Sequence, residues 1–188
     1  MATAAPAGPA FEAASIKCGV RAAAGAIETV KVVDGKLEIG TIDDAPAIGI
    51  CGSGLVDAVA CLVQLGILDA TGKFNEVSDP NLVERDGEKI YMLTEDVFLS
   101  QRDVRELQFA KAAIATGWAL LAEEFGIQDS EIQQVLLAGS FGSYLSPASA
   151  VKIGLVPKIS VLRIVSAGNV AGEGAKMALL STQERHGA

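Results

Sequence analysis

Three glycine-rich turns mark where this chain places residues able to do chemistry. They are Gly49-Ile-Cys-Gly-Ser-Gly54, Gly139-Ser-Phe-Gly142, and Gly168-Asn169 running on to Gly174. Each lies between the end of an expected strand and the start of an expected helix. Such turns aim backbone N–H groups and the positive end of a helix at one place, which is the recipe for holding a phosphate. In an open α/β sheet the carboxyl ends of the strands share a crevice, so three turns at one edge point to a nucleotide site. A single turn by itself reads first as glycine permitting a tight bend; it is the three together that favour a nucleotide site. The candidate ligand-binding residues are Gly52, Ser53, Gly54, Gly139, Ser140, Phe141, Gly142, Gly168 and Asn169. The first turn is not G-x-G-x-x-G, because its glycine order is reversed. It is not a P-loop either, because no Lys-Ser/Thr pair follows Gly54.

Side chains for catalysis are sparse, and no catalytic residue is assigned. The one histidine, His186, sits in the tail, which leaves serine or cysteine nucleophiles without a histidine base. Asp57, one turn into the first expected helix, is placed either to bind a metal–water complex or to solvate that turn. Glu12 is an acid in an apolar stretch; burial would raise its pKa, and a surface loop would not. Cys51 is reactive if a helix dipole lowers its pKa, and otherwise is a small buried residue. Phe141 and Tyr144 would flank a flat base or pack at the rim of the core. Arg102, Asp103, Arg105 and Glu106 read as a solvated charged face. Cys18, Cys51 and Cys61 form no CxxC or Cys/His pattern, so no zinc or iron–sulfur site is expected in this chain.

The elements that must position these residues follow from period and punctuation. Residues 1–27 are rich in Ala, Gly and Pro and read as a covering loop. Strands at 28–33 and 36–41 flank Asp34-Gly35, a strong hairpin signal, and 83–85 and 88–93 flank Asp86-Gly87 in the same way. A helix at 53–65 ends at Gly66. A longer one, 101–125, has Ser100 as N-cap, Asp103 at its third position and Gly126 after its end. A strand at 134–138 leads to the second glycine turn, and Ser146-Pro147 opens another helix. A strand at 161–165, a turn at 166–169 and a helix at 170–180 complete the pattern, followed by a frayed tail. Alternating strands and helices behind a hairpin imply a layered α/β domain with a mixed sheet.

Composition bounds the partners. The chain has 188 residues, half of them hydrophobic, and a mean hydropathy of +0.37. That is enough for a real core and excludes a disordered chain. The longest apolar stretch, around residues 45–63, is interrupted by Asp57 and by glycines, so no membrane span is expected. A net charge of −8 with scattered Lys and Arg argues against a nucleic-acid groove. Three thiols with no disulfide pattern suggest a reducing, cytoplasmic compartment. The start, Met1-Ala-Thr-Ala-Ala-Pro, has no signal-peptide layout and reads as a start placed before an internal segment.

Taken together, several segments resemble one family, in order: Ala7-Gly-Pro-Ala-Phe-Glu12, Cys18-Gly-Val-Arg-Ala22, Gly25-Ala-Ile-Glu28, Ile50-Cys-Gly-Ser-Gly-Leu-Val-Asp-Ala58, Asp103-Val-Arg-Glu-Leu-Gln108, Lys111-Ala-Ala-Ile114, Leu137-Ala-Gly-Ser-Phe-Gly142, Ile153-Gly-Leu155, and Gly168-Asn169 with Gly172. The resemblance covers nearly the whole chain. It is to the C-terminal part of the reductive activators of corrinoid proteins, often labelled ferredoxin-like proteins. Their ATPase domain belongs to the acetate and sugar kinase, heat-shock chaperone and actin superfamily.

The resemblance implies a ribonuclease-H-like, actin-like ATPase lobe, a mixed sheet flanked by helices with an inserted helical and hairpin segment at about 69–126. Residues 28–182 would form the second lobe, behind the 1–27 leader and ahead of a 183–188 tail. It also implies ATP with Mg, and a [2Fe–2S] cluster in a domain outside this chain. ATP use would drive reduction of Co(II) in a corrinoid protein to Co(I) for methyl transfer. Gly139–Gly142 resembles the superfamily's adenosine motif, Gly168-Asn169 through Gly174 its second connecting helix, and Gly52-Ser-Gly54 opens the lobe's first helix. An Asp-x-Gly strand pair is expected upstream of residue 1. Ala13, Val20 and Ser140 stand where Gly, Met and Ala are more usual. The expectation is a fragment inactive alone, with an unpaired sheet edge that favours a homodimer. The alternative is a non-enzymatic module that docks a corrinoid protein.

Overall fold

The computed structural model describes residues 1–11 and 14–187, with the backbone alone at Ser140. Strands β1 (Ala26–Val33) and β2 (Lys36–Thr41) form the first hairpin. Its turn residues Asp34 and Gly35 have φ of 49° and 76°, the left-handed pair that a two-residue turn between twisted strands requires. Strand β3 (Gly49–Ile50) pairs parallel to β1, giving the order β2-β1-β3, a mixed sheet. Helix α1 (Gly52–Gln64) follows. The insertion contributes β4 (Leu82–Arg85), β5 (Glu88–Met92) and β6 (Phe98–Ser100), an antiparallel sheet in that order, and then helix α2 (Gln101–Phe125). Strand β7 (Val135–Ala138), short helix α3 (Gly139–Tyr144), α4 (Pro147–Ile153), β8 (Ile164–Gly168), α5 (Val170–Leu180) and α6 (Thr182–Gly187) complete the chain. β7 and β8 run parallel.

Several local expectations need correction. The sheet is not continuous: β7 and β8 pair with each other and, among the described residues, with no strand of the first sheet. The second glycine turn is itself helical, as α3. Val161–Arg163 forms a 3₁₀ turn in which the Arg163 amide donates to the Ser160 carbonyl at 2.9 Å, leaving Leu162 90% exposed. The strand therefore starts at Ile164, the first residue of that stretch to reach the core and to pair with Val135. The tail is not frayed through 183–187: the Ser181 hydroxyl accepts from the Glu184 amide at 3.2 Å and starts α6. Strand β6, absent from the sequence reading, is three residues running straight into the α2 N-cap.

The core gathers around α1. Leu55, Val56 and Leu62 are fully buried against Ile27 and Ile50 of the first sheet, Leu68 and Phe74 of the insertion, and Val104 and Leu107 of α2. A helix buried all round explains why this segment carries almost no polar face. Gly54 makes the close seat possible, because a Cβ there would stand 2.1 Å from the Ile27 carbonyl oxygen. α1 also supplies polar partners to β1 on the side away from β2. The Cys51 amide and thiol donate to the Ile27 carbonyl at 3.1 and 3.3 Å. The Asp57 carboxylate accepts from the Val30 amide at 3.3 Å, and the Cys61 thiol donates to the Val30 carbonyl at 3.3 Å. Past Ile27, where the pairing with β3 ends, the strand edge at Val30 is thus satisfied by a helix.

The charged face expected on α2 holds only in part. Arg102 and Arg105 are exposed, but Asp103 is completely buried. Its Oδ2 accepts from the Ser100 amide at 2.9 Å, while its own amide donates to the Ser100 hydroxyl at 3.2 Å, a reciprocal cap. Its Oδ1 accepts from the Lys17 amide at 2.9 Å, tying the leading segment to the helix. That leader is more than a cover. Its Gly19 pairs with Ile50 in a parallel bridge, extending the first sheet beside β3. No described helix is long and apolar enough to cross a membrane.

Candidate functional site

A cleft of about 690 Å³ opens where the leader, the first sheet, α1 and α3 meet. Its walls are Phe11, Val20, Arg21, Ala22, Glu28, Ile42, Cys51, Gly52, Ser53, Phe141 and Tyr144. Each element delivers its residue for a local reason. The N-cap Cys51 is held by its bonds to Ile27, and this fixes Gly52 and Ser53 as the first turn of α1 at the cleft. Gly52 must be glycine, since an added Cβ would stand 2.1 Å from the Phe11 carbonyl oxygen and 3.0 Å from the Phe141 ring. The Phe11 and Phe141 rings pack at 4.9 Å between centroids, tilted by 39°. Tyr144, one turn further along α3, is 69% exposed at the rim.

Of the nine residues singled out from sequence, Gly52, Ser53 and Phe141 line this cleft together. Gly54 lies one residue deeper, seated on β1. Gly139 begins α3 with φ of 87° and open space where a Cβ would stand, and Gly142 is buried so that an added Cβ would stand 3.0 Å from the Leu137 carbonyl carbon. The Ser140 side chain lies outside the described residues, as does Glu12. Gly168 and Asn169 do not line the cleft; the Asn169 side chain accepts from the Gly172 amide at 3.0 Å and caps α5. Two of the three glycine turns therefore converge and the third is elsewhere.

The thiols and Asp57 also have settled places. Cys51 and Cys61 are buried with their thiols bonded to β1 carbonyls, and burial together with the Asp57 charge pushes the Cys61 thiol up. Cys18 is half-buried. Among the described residues no three His, Cys, Asp or Glu side chains stand close enough to hold a metal ion. Asp57 faces β1, not the cleft. Its Oδ1 has no hydrogen-bond partner; Ser149 lies near enough to favour the charged form without closing a bond.

Burial raises the Asp57 pKa above the ordinary carboxylate value, outweighing Ser149, the Val30 amide and Lys31. The folded state then holds its proton to higher pH than the unfolded chain does. Stability falls as pH climbs from about 4 through that raised value. Asp57→Asn keeps an oxygen for the Val30 amide and removes the charge. Its stability relative to the parent should be level below about pH 4 and should grow with pH. Urea midpoints at a series of pH values read this directly; a constant difference would refute it.

A family model described as the C-terminal domain of RACo, the ASKHA domain, matches residues 1–188. This chain belongs to that family. Over 193 residues it is 37% identical to the corrinoid activation enzyme RamQ of Eubacterium limosum, covering 94% of this chain and 32% of that protein. It is 28% identical over 189 residues to a Methanosarcina barkeri protein named Co(II) methylated amine-specific corrinoid protein reductase, covering 89% of this chain and 33% of that one. The solved structure of a reductive activator for corrinoid, iron–sulfur protein superposes with a TM-score of 0.85 at 35% identity, over 95% of this chain and 30% of that one. The chain spans about a third of the length of these relatives. The actin-like ATPase fold class expected from the motifs is the fold of this ASKHA domain.

The ASKHA domain's cleft also contains residues that sequence reasoning did not place there: Phe11, Arg21, Glu28 and Ile42. Arg21 and Glu28 sit inside the Cys18–Ala22 and Gly25–Glu28 segments that carried the family resemblance. The signal was present, but nothing local said that these two short segments face one cavity.

Proposed function

We propose that this chain is the second-lobe part of an ATP-dependent activator that reduces Co(II) corrinoid proteins to Co(I) for methyl transfer. In this reading it supplies one wall of the nucleotide cleft. The observation that carries it is the convergence of the α1 N-terminus and the α3 aromatics on one cleft. Aromatic rings suit a nucleobase, and the first turn of a buried helix suits its phosphates. Magnesium arriving with ATP would neutralise phosphate charge; Glu28 is the one carboxylate lining the cleft among the described residues. The residues present do not fit an iron–sulfur cluster, since two of three thiols are engaged with β1, so no electron-transfer step is assigned to them. The electron source belongs, by the family resemblance, to another domain, and the setting is the cytoplasm.

Calorimetric titration of the full natural protein with ATP tests the cleft. Tyr144→Ala should weaken ATP about tenfold, within the roughly 1–3 kcal/mol that stacking on one base contributes. Its thermal midpoint should not move, because the side chain is mostly exposed. Equal affinity in the variant would remove Tyr144 and α3 from the site. Absence of any ATP binding or ATP-dependent Co(II) reduction would remove the enzyme reading.

A docking role has its own support. Leu136 of β7, Leu162, and Met177, Leu179 and Leu180 of α5 are all more than half exposed. Large apolar side chains left in solvent suit a protein partner. Tight corrinoid-protein binding that ignores nucleotide and Tyr144 would favour this reading over the first.

A further inference from the structure

The leader and α1 bring two positive groups to the same cleft. The Val20 amide donates to the Ile50 carbonyl at 3.0 Å, and Gly19 pairs with Ile50 in parallel register. Continuing that register places Arg21 alongside the start of α1, and both Arg21 and Gly52 line the cavity. Arg21 is exposed, and among the described residues it makes no ion pair. Cys51, the α1 N-cap, makes no side-chain capping bond to the helix's first amides. A guanidinium and a helix N-terminus both favour an anion beside them, and Glu28, the carboxylate that lines the same cleft, makes no ion pair with Arg21. The guanidinium's planar fork matches phosphate oxygens two at a time, which an ammonium cannot do. The three aromatic rings of the cleft are uncharged and suited to a base.

We propose that Arg21 is the phosphate-reading residue of this cleft, setting its preference for nucleotides with more phosphates. The proposal rests on the nucleotide reading above and adds the specificity determinant to it. Arg21 binds and orients the polyphosphate; the aromatic wall takes the base.

The test compares adenosine, ADP, ATP and inorganic tripolyphosphate by calorimetry on the full natural protein. The wild type should bind ATP more tightly than adenosine. Arg21→Gln should lower ATP and tripolyphosphate affinity at least tenfold and leave adenosine unchanged. Arg21→Lys should recover part of the loss, as a point charge without the fork. Equal losses for adenosine and ATP, or no loss for either, would overturn the assignment. Tripolyphosphate binding that needs Arg21, without any adenosine binding, would keep Arg21 and discard the nucleotide. A wild type that binds neither ATP nor tripolyphosphate overturns both. Thermal midpoints of the variants should match the wild type, since Arg21 is exposed.

Discussion

Gly54→Ala is expected to destabilise the domain by about 3 kcal/mol or more, at the upper end of overpacking costs. The sign is the informative part. In an ordinary helix interior the same exchange stabilises by roughly 1 kcal/mol, because alanine is the better helix former. At Gly54 the added methyl would stand 2.1 Å from the Ile27 carbonyl oxygen and 2.9 Å from its carbon, so backbone rather than a flexible side chain must move. Helix α1 would have to lift from β1, breaking the bonds from Cys51, Asp57 and Cys61 with it. Gly174, in α5, is the matched control: nothing lies within 4 Å of its added Cβ. Gly174→Ala should be neutral or stabilise by up to about 1 kcal/mol. Urea unfolding of the two variants gives the contrast, and similar midpoints for both would refute the packing account.

Asp103→Ala should cost about 3 kcal/mol, since it leaves two amides without an acceptor and each such loss costs roughly 1–3 kcal/mol when buried. Those amides belong to Ser100, at the completely buried N-cap, and to Lys17 of the leader. The change therefore removes a helix cap and detaches a long-range tether together. Asp103→Asn should recover part of the loss, because one oxygen still accepts. If the alanine variant unfolds within about 0.5 kcal/mol of the parent, as a substitution on an open surface would, the buried-acceptor account fails.

Asp103 also marks where reading the sequence runs out. Its place at the third helical position after Ser100 was legible as a cap. Its burial was not, because the covering residues come from the leader and nothing near Asp103 announces them. The hairpins were readable for the opposite reason: Asp34-Gly35 and Asp86-Gly87 encode left-handed turns within two residues, so the information is local. Strand β8 was misplaced because Val161 and Leu162 look apolar, yet their backbone turns and leaves them exposed. For the candidate site, Gly52 and Ser53 were visible as a glycine-rich turn and Phe141 as an aromatic in another. Their meeting with Arg21 depends on the parallel pairing of the leader with β3, and with Glu28 on that of β1 with β3, pairings between residues far apart in the chain that leave no periodic trace.

The seating of α1 against β1 has a consequence for how the domain opens. A strand edge is ordinarily closed by another strand, and the two can separate while nearby helices stay formed. Here the groups that close Ile27 and Val30 come from the N-cap of α1 and from the helix itself, at positions 51, 57 and 61. Neither element can leave without exposing the other's polar groups in a dry interior. Strand and helix therefore melt as one cooperative block. Because Gly52 and Ser53 are the first turn of that same helix, the cleft's floor keeps its shape for as long as the block survives.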